Sequence, residues 1–321
     1  MIQMTEFNFN TVDLNKKALD ILQKNGKESR RIKQLLNNNC VFVTHDDLLP
    51  LMIKFVPLNE REKLEVEIAM FDFLKAKTSL EVPRVLSYGE NDALFYLLRE
   101  MIKGETLGAF LEKHRNTKDG NIGEIFFEAG VTLGTLHSIA LNEKGIFNPD
   151  LSIQPYDLFS KKEYTGFIDS LLDKGVISKP EHRSLSKIDV DYYYSGKPNV
   201  LCHCDYNPNN ILVREKRVVG VIDYEWVSSA PYMDDLATFD LFSELLGCHD
   251  KIPCFYRGYQ SIKTIDDFYF NGKDFYKFYR LLTMLSYQSS AANGRFHGDF
   301  FQKMQHKLRR TILSVHNFVK E

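Results

Sequence analysis

The stretch "LCHCDYNPNNIL" at residues 201–212 places a histidine, an aspartate and three asparagines between two short apolar runs. Apolar runs of this kind are typical of buried strands, so the core is expected to hold the polar loop between them. Three interpretations fit such a loop: a metal site, a tight turn or a catalytic loop. Observations along the rest of the chain decide among them.

Size and charge narrow the classes of protein to consider. The chain has 321 residues, a formal net charge of −2 and 44% hydrophobic residues. This length predicts about two domains or lobes, and the balanced charge gives no basic surface for nucleic acid. No apolar run approaches the roughly 18 residues of a membrane span, and the first residues lack the regions of a secretory signal. We therefore expect a cytoplasmic protein, monomer or homodimer, with no nucleic-acid or membrane partner.

The five cysteines bear on the metal interpretation. An odd number in a long chain without a secretory signal argues against a disulfide framework. Cys202 and Cys204 flank His203, which suggests zinc. Structural zinc sites, however, use two cysteines separated by two to four residues together with a second ligand pair elsewhere. The sequence contains no such second pair, so zinc is disfavoured.

Hydrophobic patterns divide the chain into two parts. Residues 1–34 are predicted to be a helical lead, because Leu14, Ala18 and Leu22 have helical spacing. Up to residue 102 the predicted order is strand, strand, helix, strand, strand, and residues 103–321 are predicted to be mainly helical. We therefore expect an N-terminal lobe over 1–102 and a C-terminal lobe over 103–321.

Within the opening stretch, His203, Asp205 and Asn210 satisfy H-x-D-x-x-x-x-N, the spacing of the catalytic loop of kinases. Asp223 follows the next strand-like run, in "VVGVIDYEW". Phosphoryl transfer needs charge neutralisation and alignment more than covalent help from the protein. Carboxylate and amide oxygens suit Mg²⁺, so Asn210 and Asp223 are candidate ligands. Asp205 is then available to accept the proton of an attacking hydroxyl.

A lysine in the N-terminal part supports this interpretation. Lys54 lies in the apolar run "LMIKF", where a charge needs a partner. The following helix offers Glu62, Glu65 and Glu67. Glu67 is preferred because it stands next to the apolar-face residue Ile68, and a Lys–Glu pair of this kind directs a lysine toward nucleotide phosphates.

These motifs resemble those of the aminoglycoside phosphotransferase and choline kinase family. The resemblance covers about residues 35–260 and rests on "LMIKF", "EIAMFDFL", "LLREMIKGETL", "LGTLHSIAL", "HCDYNPNNIL", "VIDYEW" and "DDLATF". It implies an α+β, protein-kinase-like two-lobed fold, with an antiparallel sheet and one helix in the N-lobe and a mainly helical C-lobe. Protein kinases carry H-R-D, D-F-G and A-P-E, whereas this chain has H-C-D and I-D-Y-E and no A-P-E. The resemblance therefore favours a kinase of small molecules.

The resemblance also implies roles for individual residues. Asp205 is the implied catalytic base, Asn210 and Asp223 are the implied Mg²⁺ ligands, and His203 and Asp235 are implied structural supports. ATP is the implied cofactor together with Mg²⁺, and GTP is not excluded. The implied nucleotide-binding residues are Lys54, Glu67, Asn38, Asn39, Glu100, Met101 and Ile102. Asn38 and Asn39 stand where family loops are often rich in glycine or serine, and the backbone of Glu100 to Ile102 is the implied adenine-binding hinge.

The acceptor is the least determined part of the prediction. We expect a small-molecule hydroxyl acceptor, foremost an aminoglycoside-like antibiotic or an amino sugar, and antibiotic resistance is one role within the family. A choline- or ethanolamine-type metabolite is an alternative. A third alternative is a catalytically silent pseudokinase. The retention of Lys54, Asp205, Asn210 and Asp223 argues against it, because unused acids in one site would repel one another.

Overall fold

The structure is a computed structural model that describes residues 13–27, 32–35, 40–44, 50–114, 121–290 and 299–313. It divides into two compact units. The first extends to Lys103 and includes residues 149–151, and the second comprises Gly104–Asn148 and the chain from Ser152 onward. Among the described residues, no helix is long and apolar enough to cross a membrane.

The first unit is built on an antiparallel sheet with the strand order β1-β2-β3-β5-β4. Its elements are α1 (Leu14–Lys24), β1 (Ile32–Leu35), β2 (Cys40–Thr44), β3 (Leu51–Pro57), α2 (Arg61–Lys77), β4 (Val85–Asn91) and β5 (Leu94–Glu100). The predicted order from the first hairpin onward, strand, strand, helix, strand, strand, matches β2 to β5.

Helix α1 corresponds to part of the predicted helical lead. Asp13 caps its N-terminus by accepting a hydrogen bond from the Lys16 amide at 3.0 Å. The helix ends before Gly26, whose φ of +66° suits glycine. The expectation of helix up to residue 34 is wrong for residues 32–34, because they belong to the strand Ile32–Leu35, which pairs with β2. The apolar side of α1 packs in one core cluster with Phe42, Ile53, Phe55 and Leu98, among others.

The second unit is mainly helical and contains two small antiparallel sheets. Its helices are α3 (Leu107–His114), α4 (Asn121–His137), α5 (Lys161–Asp173), α6 (Lys179–Leu185), α7 (Val190–Tyr194), α8 (Met233–Leu245), α9 (Ile252–Gln260), α10 (Asp267–Ser290) and α11 (Asp299–Leu313). Its strands are β6 (Glu105–Thr106), β7 (Ala140–Leu141), β8 (Gly145–Phe147), β9 (Ile153–Pro155), β10 (Asn199–Cys202), β11 (Ile211–Arg214), β12 (Arg217–Val221) and β13 (Ser228–Pro231). The predicted α+β class, with a sheet-rich first part and a mainly helical second part, is confirmed.

Two features of the second unit position the loop at residues 203–210. Strand β10 leads directly into it, and β10 is paired with β7 and β13 in a sheet of order β7-β10-β13-β8-β9. Strand β11 leaves the loop and forms a hairpin with β12 inside a second sheet, of order β12-β11-β6. The loop is therefore anchored at both ends by sheet hydrogen bonds.

Helices α4 and α9 pack against each other at very short range. A Cβ added to Gly130 of α4 would lie 2.0 Å from the Phe255 carbonyl oxygen. A Cβ added to Gly258 of α9 would lie 1.9 Å from the Phe127 carbonyl oxygen. The absence of side chains at these two positions allows the two backbones to meet.

Candidate active site

Lys54 and Glu67 form a buried ion pair in the first unit. Lys54 lies at the centre of β3, opposite Val41 of β2 and Leu97 of β5. Its Nζ donates to Glu67 Oε2 at 2.9 Å, and the two side chains are only 5% and 1% exposed. A lysine in such an apolar setting needs a carboxylate, because an unpaired buried charge is costly.

The structure changes the reason for preferring Glu67 over its neighbours. Glu67 lies on the buried side of α2 with Leu64, Phe71 and Leu74, whereas Ile68 is half-buried. Glu62 is exposed, and Glu65 pairs with Arg61 at 2.8 Å instead. A carboxylate at spacings of three and four from buried apolar residues is the sequence signal for an inward-facing acid.

The hinge candidates differ in which backbone groups are already used. The Glu100 amide donates to the Arg84 carbonyl and the Met101 amide to the Pro50 carbonyl, each at 2.9 Å. The Ile102 amide has no hydrogen-bond partner among the described residues. Asn38 and Asn39 lie outside the described residues.

In the second unit, Asn210 holds Asp205 in place. The loop turns through a short 3-10 segment, Pro208–Asn210, which is capped by the Asn207 side chain accepting from the Asn209 amide at 2.9 Å. The Nδ2 of Asn210 donates to Asp205 Oδ2 at 2.9 Å and to the Asp205 carbonyl at 3.0 Å. Because Nδ2 is used in this way, the amide oxygen of Asn210 is the atom left to ligate a cation.

The hairpin of β11 and β12 brings Asp223 to the same place. Ile211 pairs with Val221, and the Ile222 amide donates to the Asn210 carbonyl at 2.9 Å. Asp223 follows at once, with a left-handed φ of +71° that is uncommon for a non-glycine residue. Its negative charge contributes to raising the pKa of Asp205. The two predicted metal ligands therefore lie at neighbouring ends of one hairpin, and both donor atoms are hard oxygens that fit Mg²⁺.

Asp235 anchors the loop from the first turn of α8. Its Oδ2 accepts from the His203 amide at 2.7 Å, and its Oδ1 accepts from the Cys204 amide at 2.8 Å. His137 Nε2, on α4, lies 3.1 Å from the same Oδ2. Burial raises the pKa of Asp235, but hydrogen bonds and the nearby histidines outweigh it, so the pKa is lowered. Asp235 is thus a buried carboxylate that fixes the backbone just before Asp205.

Both histidines near Asp235, His203 and His137, make hydrogen bonds to other protein groups. His203 is buried and its Nε2 donates to the Ile222 carbonyl at 2.9 Å, which ties the loop to the residue before Asp223. His137 contacts the Tyr259 hydroxyl at 2.9 Å, besides Asp235. Burial lowers the pKa of His137, so its neutral form is favoured. Through its hydrogen bond to Asp235, His137 supports the loop from α4.

The cysteines around His203 are not arranged as a zinc site. Atoms of His137, Cys202 and Asp235 that are able to bind a metal lie within 4.8 Å of one another. The Cys202 thiol, however, lies 3.2 Å from the Ala230 carbonyl, and burial raises its pKa well above the usual range. Neither His203 nor Cys204 belongs to this group, so the Cys-His-Cys run does not supply a set of zinc ligands.

Sequence reasoning missed two charged residues beside Asp205. Arg280 on α10 donates from Nη2 to Asp205 Oδ1, although 75 residues separate them in the sequence. Asp234 is buried, and burial raises its pKa to about 7 while Arg280 opposes the shift. Burial also raises the pKa of Asp205, again with Arg280 opposing. A raised pKa makes Asp205 a better proton acceptor than an ordinary surface aspartate.

Comparisons with known proteins identify the fold and the family of this chain. The model of the phosphotransferase enzyme family matches residues 29–240. No curated protein matches the chain in sequence. Among solved structures, the chain resembles an aminoglycoside 2'-phosphotransferase-IIIa variant in complex with GDP, with a TM-score of 0.69 at 13% identity, covering 94% of this chain and 98% of that one.

Two further solved structures show the same fold. A thermostable mutant of aminoglycoside phosphotransferase APH(4)-Ia, in a ternary complex with AMP-PNP and hygromycin B, has a TM-score of 0.65 at 15% identity, covering 92% of this chain and 97% of that one. A putative fructosamine-3-kinase from Haemophilus somnus 129PT has a TM-score of 0.61 at 17% identity, covering 91% and 95%. The predicted kinase-like fold is thereby confirmed. With about two thirds of its length matched by the family model, the chain belongs to the phosphotransferase enzyme family, whose members transfer phosphoryl groups to hydroxyls of small molecules.

Proposed function

We propose that the protein transfers the γ-phosphoryl group of ATP, with Mg²⁺, to a hydroxyl of a small molecule. The observation that carries the proposal is the convergence of Asp205, Asn210 and Asp223. One carboxylate is clamped by an amide, and a second stands at the adjoining end of the same hairpin. This combination supplies a proton acceptor and two oxygen ligands, as phosphoryl transfer requires.

The first unit supplies groups suited to nucleotide binding. Lys54, held by Glu67, is the candidate phosphate-binding cation, because a fixed ammonium offers its donors to phosphate oxygens. The Ile102 amide is the candidate donor to the purine. GTP remains an alternative to ATP, since one structural neighbour contains AMP-PNP and another GDP.

The second unit supplies the proposed metal ligands and the base. Asn210, through its amide oxygen, and Asp223 would hold Mg²⁺, which when bound neutralises phosphate charge. Asp205 would orient the acceptor hydroxyl and accept its proton as the oxygen bonds to the γ-phosphorus and the bond from that phosphorus to the bridging oxygen breaks, which releases ADP. Asp235 and His203 fix the loop that carries Asp205, and neither contacts the reacting atoms in this proposal.

The acceptor proposed first is an aminoglycoside-like compound or an amino sugar. The structural neighbours named above include a hygromycin B complex and a fructosamine-3-kinase, which supports this class. A choline- or ethanolamine-type metabolite is the second candidate. A pseudokinase is the third, and the intact Lys54–Glu67 and Asp205–Asn210 contacts argue against it. Cytoplasmic location and a monomeric or homodimeric state stay predictions.

ATP consumption with Mg²⁺ across aminoglycosides, amino sugars, choline and ethanolamine tests the proposal, with Asp205→Ala as the matched control. Acceptor-dependent turnover is expected in the wild type. The variant should lose roughly 10²- to 10⁴-fold in kcat, the usual contribution of a general base, while still binding Mg²⁺–ATP. Full activity in Asp205→Ala would remove the assignment of the base. Absence of Mg²⁺–ATP binding in the wild type would favour the pseudokinase.

A further inference from the structure

Arg280 and Asn210 each hold one oxygen of Asp205. Asn210 donates to Oδ2 at 2.9 Å, and Arg280 donates to Oδ1. The Asn207 side chain is a third donor to Asp205, and an ionised carboxylate has about four lone-pair positions, so one place is left for a further hydrogen bond. An acceptor hydroxyl is therefore able to reach Asp205 without displacing any of these residues.

A hydroxyl bound to Asp205 brings its neighbouring atoms close to the guanidinium of Arg280. The Arg280 side chain is 14% exposed and that of Asp205 is 27% exposed. Arg280 is therefore partly accessible to a molecule that binds at Asp205. Its Nε is buried and has no hydrogen-bond partner among the described residues. The group on the carbon next to the reacting hydroxyl must therefore be compatible with an adjacent planar cation.

The charged groups facing Arg280 belong to the second unit. They are Asp205, which it contacts, Asp234, whose Oδ2 is buried and without a hydrogen-bond partner among the described residues, and Asp235, which also holds the His203 and Cys204 amides. Arg280 is the cation within this group. A carboxylate, a phosphate or a hydroxyl oxygen accepts hydrogen bonds from a guanidinium, whereas an ammonium group has only donors to offer and carries the same charge.

We propose that Arg280 selects the acceptor by the group on the carbon next to the one that bears the reacting hydroxyl. An oxygen function on that neighbouring carbon is favoured, and an ammonium group there is disfavoured. The inference rests on the proposed function and narrows its acceptor class. In an amino sugar or aminoglycoside, phosphorylation then falls on a hydroxyl flanked by oxygen functions. Ethanolamine and choline, with the cation next to the reacting hydroxyl carbon, become poor acceptors.

The first test uses four acceptors that share a HO–CH2 group and differ at the second carbon: ethanolamine, ethylene glycol, glycolate and 2-hydroxyethyl phosphate. In the wild type, kcat/KM should be at least roughly tenfold lower for ethanolamine than for the other three, as expected for like charges in partial contact. Arg280→Gln should reduce this preference to within about threefold, whereas Arg280→Lys keeps the charge and should keep the order. Glycolate and the phosphate ester distinguish a carboxylate from a phosphate preference.

Lys273→Gln is the matched control, because it removes one positive charge from the same helix two turns before Arg280. It should leave the order of acceptors as in the wild type. A role in positioning Asp205 alone predicts that Arg280→Gln lowers kcat by one common factor for every acceptor, and that result would overturn the proposal. An unchanged preference in Arg280→Gln, or a wild-type preference for ethanolamine, would overturn it as well.

A second readout is the position of the phosphate in any aminoglycoside or amino sugar product, mapped by phosphorus–proton correlation NMR. The wild type should modify a hydroxyl flanked by oxygen functions, and this readout stands even if Arg280→Gln fails to fold. Modification beside an amine would overturn the inference and leave the proposed function standing. Silence from every acceptor would overturn the acceptor class named here, and loss of Mg²⁺–ATP binding as well would overturn the proposed function.

Discussion

Lys54 and Glu67 allow nucleotide binding to be separated from stability, because both side chains are almost fully buried. Removing one partner of a buried pair leaves an uncompensated charge and costs roughly 3–5 kcal/mol, whereas replacing both with apolar residues is often close to neutral. We therefore expect Glu67→Ala to lower the free energy of unfolding by roughly that amount. The double variant Lys54→Met/Glu67→Leu should lower it much less. Urea unfolding monitored by circular dichroism measures both.

ATP affinity gives the complementary result for the same pair. The double variant should bind ATP at least about tenfold more weakly, a loss of about 1.4 kcal/mol, because the ammonium proposed to bind the phosphates is absent. Titration calorimetry with the stable double variant measures this loss. Wild-type affinity in that variant would contradict the proposed role of Lys54.

Asp234 predicts how stability varies with pH. Burial raises its pKa to about 7 in the folded protein, above the usual aspartate value of 3.8. The folded state therefore holds a proton that the unfolded state has lost, and this group's contribution to stability falls as pH rises between those two values. Asp234→Asn should gain stability relative to wild type between pH 4 and pH 8, at up to about 1.4 kcal/mol per unit of pKa shift.

Urea unfolding of wild type and Asp234→Asn at several pH values checks this prediction. His137 and Asp235 act in the opposite direction, because their lowered pKa values make acidification destabilising in both proteins. The informative quantity is therefore the difference between the two proteins. A difference that does not change with pH would contradict the raised pKa of Asp234.

At the residue scale, the sequence was informative where function depends on local spacing. Asp205 and Asn210 lie in one loop, and Lys54 was conspicuous as a charge in an apolar run. Arg280 could not be found in this way, because it lies 75 residues from Asp205 on an aromatic helix. Only tertiary packing brings the two together, and no periodic pattern encodes that contact.

The close packing of α4 and α9 leads to a prediction at the scale of elements. Gly258→Ala would place a Cβ 1.9 Å from the Phe127 carbonyl oxygen, so the helices must separate. Overpacking of this kind typically costs about 1–3 kcal/mol. Helix α4 carries His137, which contacts Asp235, so we expect lower phosphotransfer activity as well as lower stability.

Gly166→Ala is the matched control for this substitution. Gly166 lies inside α5, and a Cβ added there meets nothing within 4 Å. The substitution should stabilise the protein by about 0.4–1 kcal/mol, because alanine loses less backbone entropy than glycine on folding. Thermal and urea unfolding of both variants measure the contrast. Equal stability of the two variants would show that the helices adjust without cost.

Element prediction succeeded for long periodic segments and failed for short ones. Residues 123–141, "GEIFFEAGVTLGTLHSIAL", have the apolar spacing of a helix and contain most of α4, and the two predicted strands after the N-lobe helix correspond to β4 and β5. The strands β6, β7, β8 and β9 have two or three residues each, which is too short to show alternation. Their existence depends on pairing partners distant in sequence. The strand β1 was missed for a related reason, because only its pairing with β2 defines it.

At the scale of the whole molecule, the thermal stability of the protein with and without Mg²⁺–ATP tests the proposed nucleotide and metal binding. A ligand at one hundred times its Kd adds about 2.7 kcal/mol to the stability of the state that binds it. We expect Mg²⁺–ATP to raise Tm in the wild type and in Asp205→Ala, and to raise it much less in Asp223→Ala. Differential scanning fluorimetry with and without EDTA measures these shifts. A shift that is indifferent to Mg²⁺ would favour a pseudokinase.

At the same scale, the sequence predicted where strand-like patterns give way to helical ones, but it did not predict every residue of each compact unit. The switch from strand-like to helical patterns suggested a boundary after Ile102, and the compact units divide between Lys103 and Gly104. Residues 149–151 group with the first unit. Local patterns do not encode this grouping, because it depends on contacts made after the chain has folded.

Because Asp235 anchors the loop through main-chain groups, the amino acids at the anchored positions are able to change during evolution. Asp235 accepts the main-chain amides of His203 and Cys204, groups that every amino acid except proline provides. Cys204 has a φ of +59°, where a Cβ is unfavourable by about 1–2 kcal/mol. Glycine or asparagine at position 204 should therefore be accepted at least as well as cysteine. Evolution is thus free to exchange the residue next to the proposed catalytic base, because the main-chain contacts that orient the loop do not depend on that side chain.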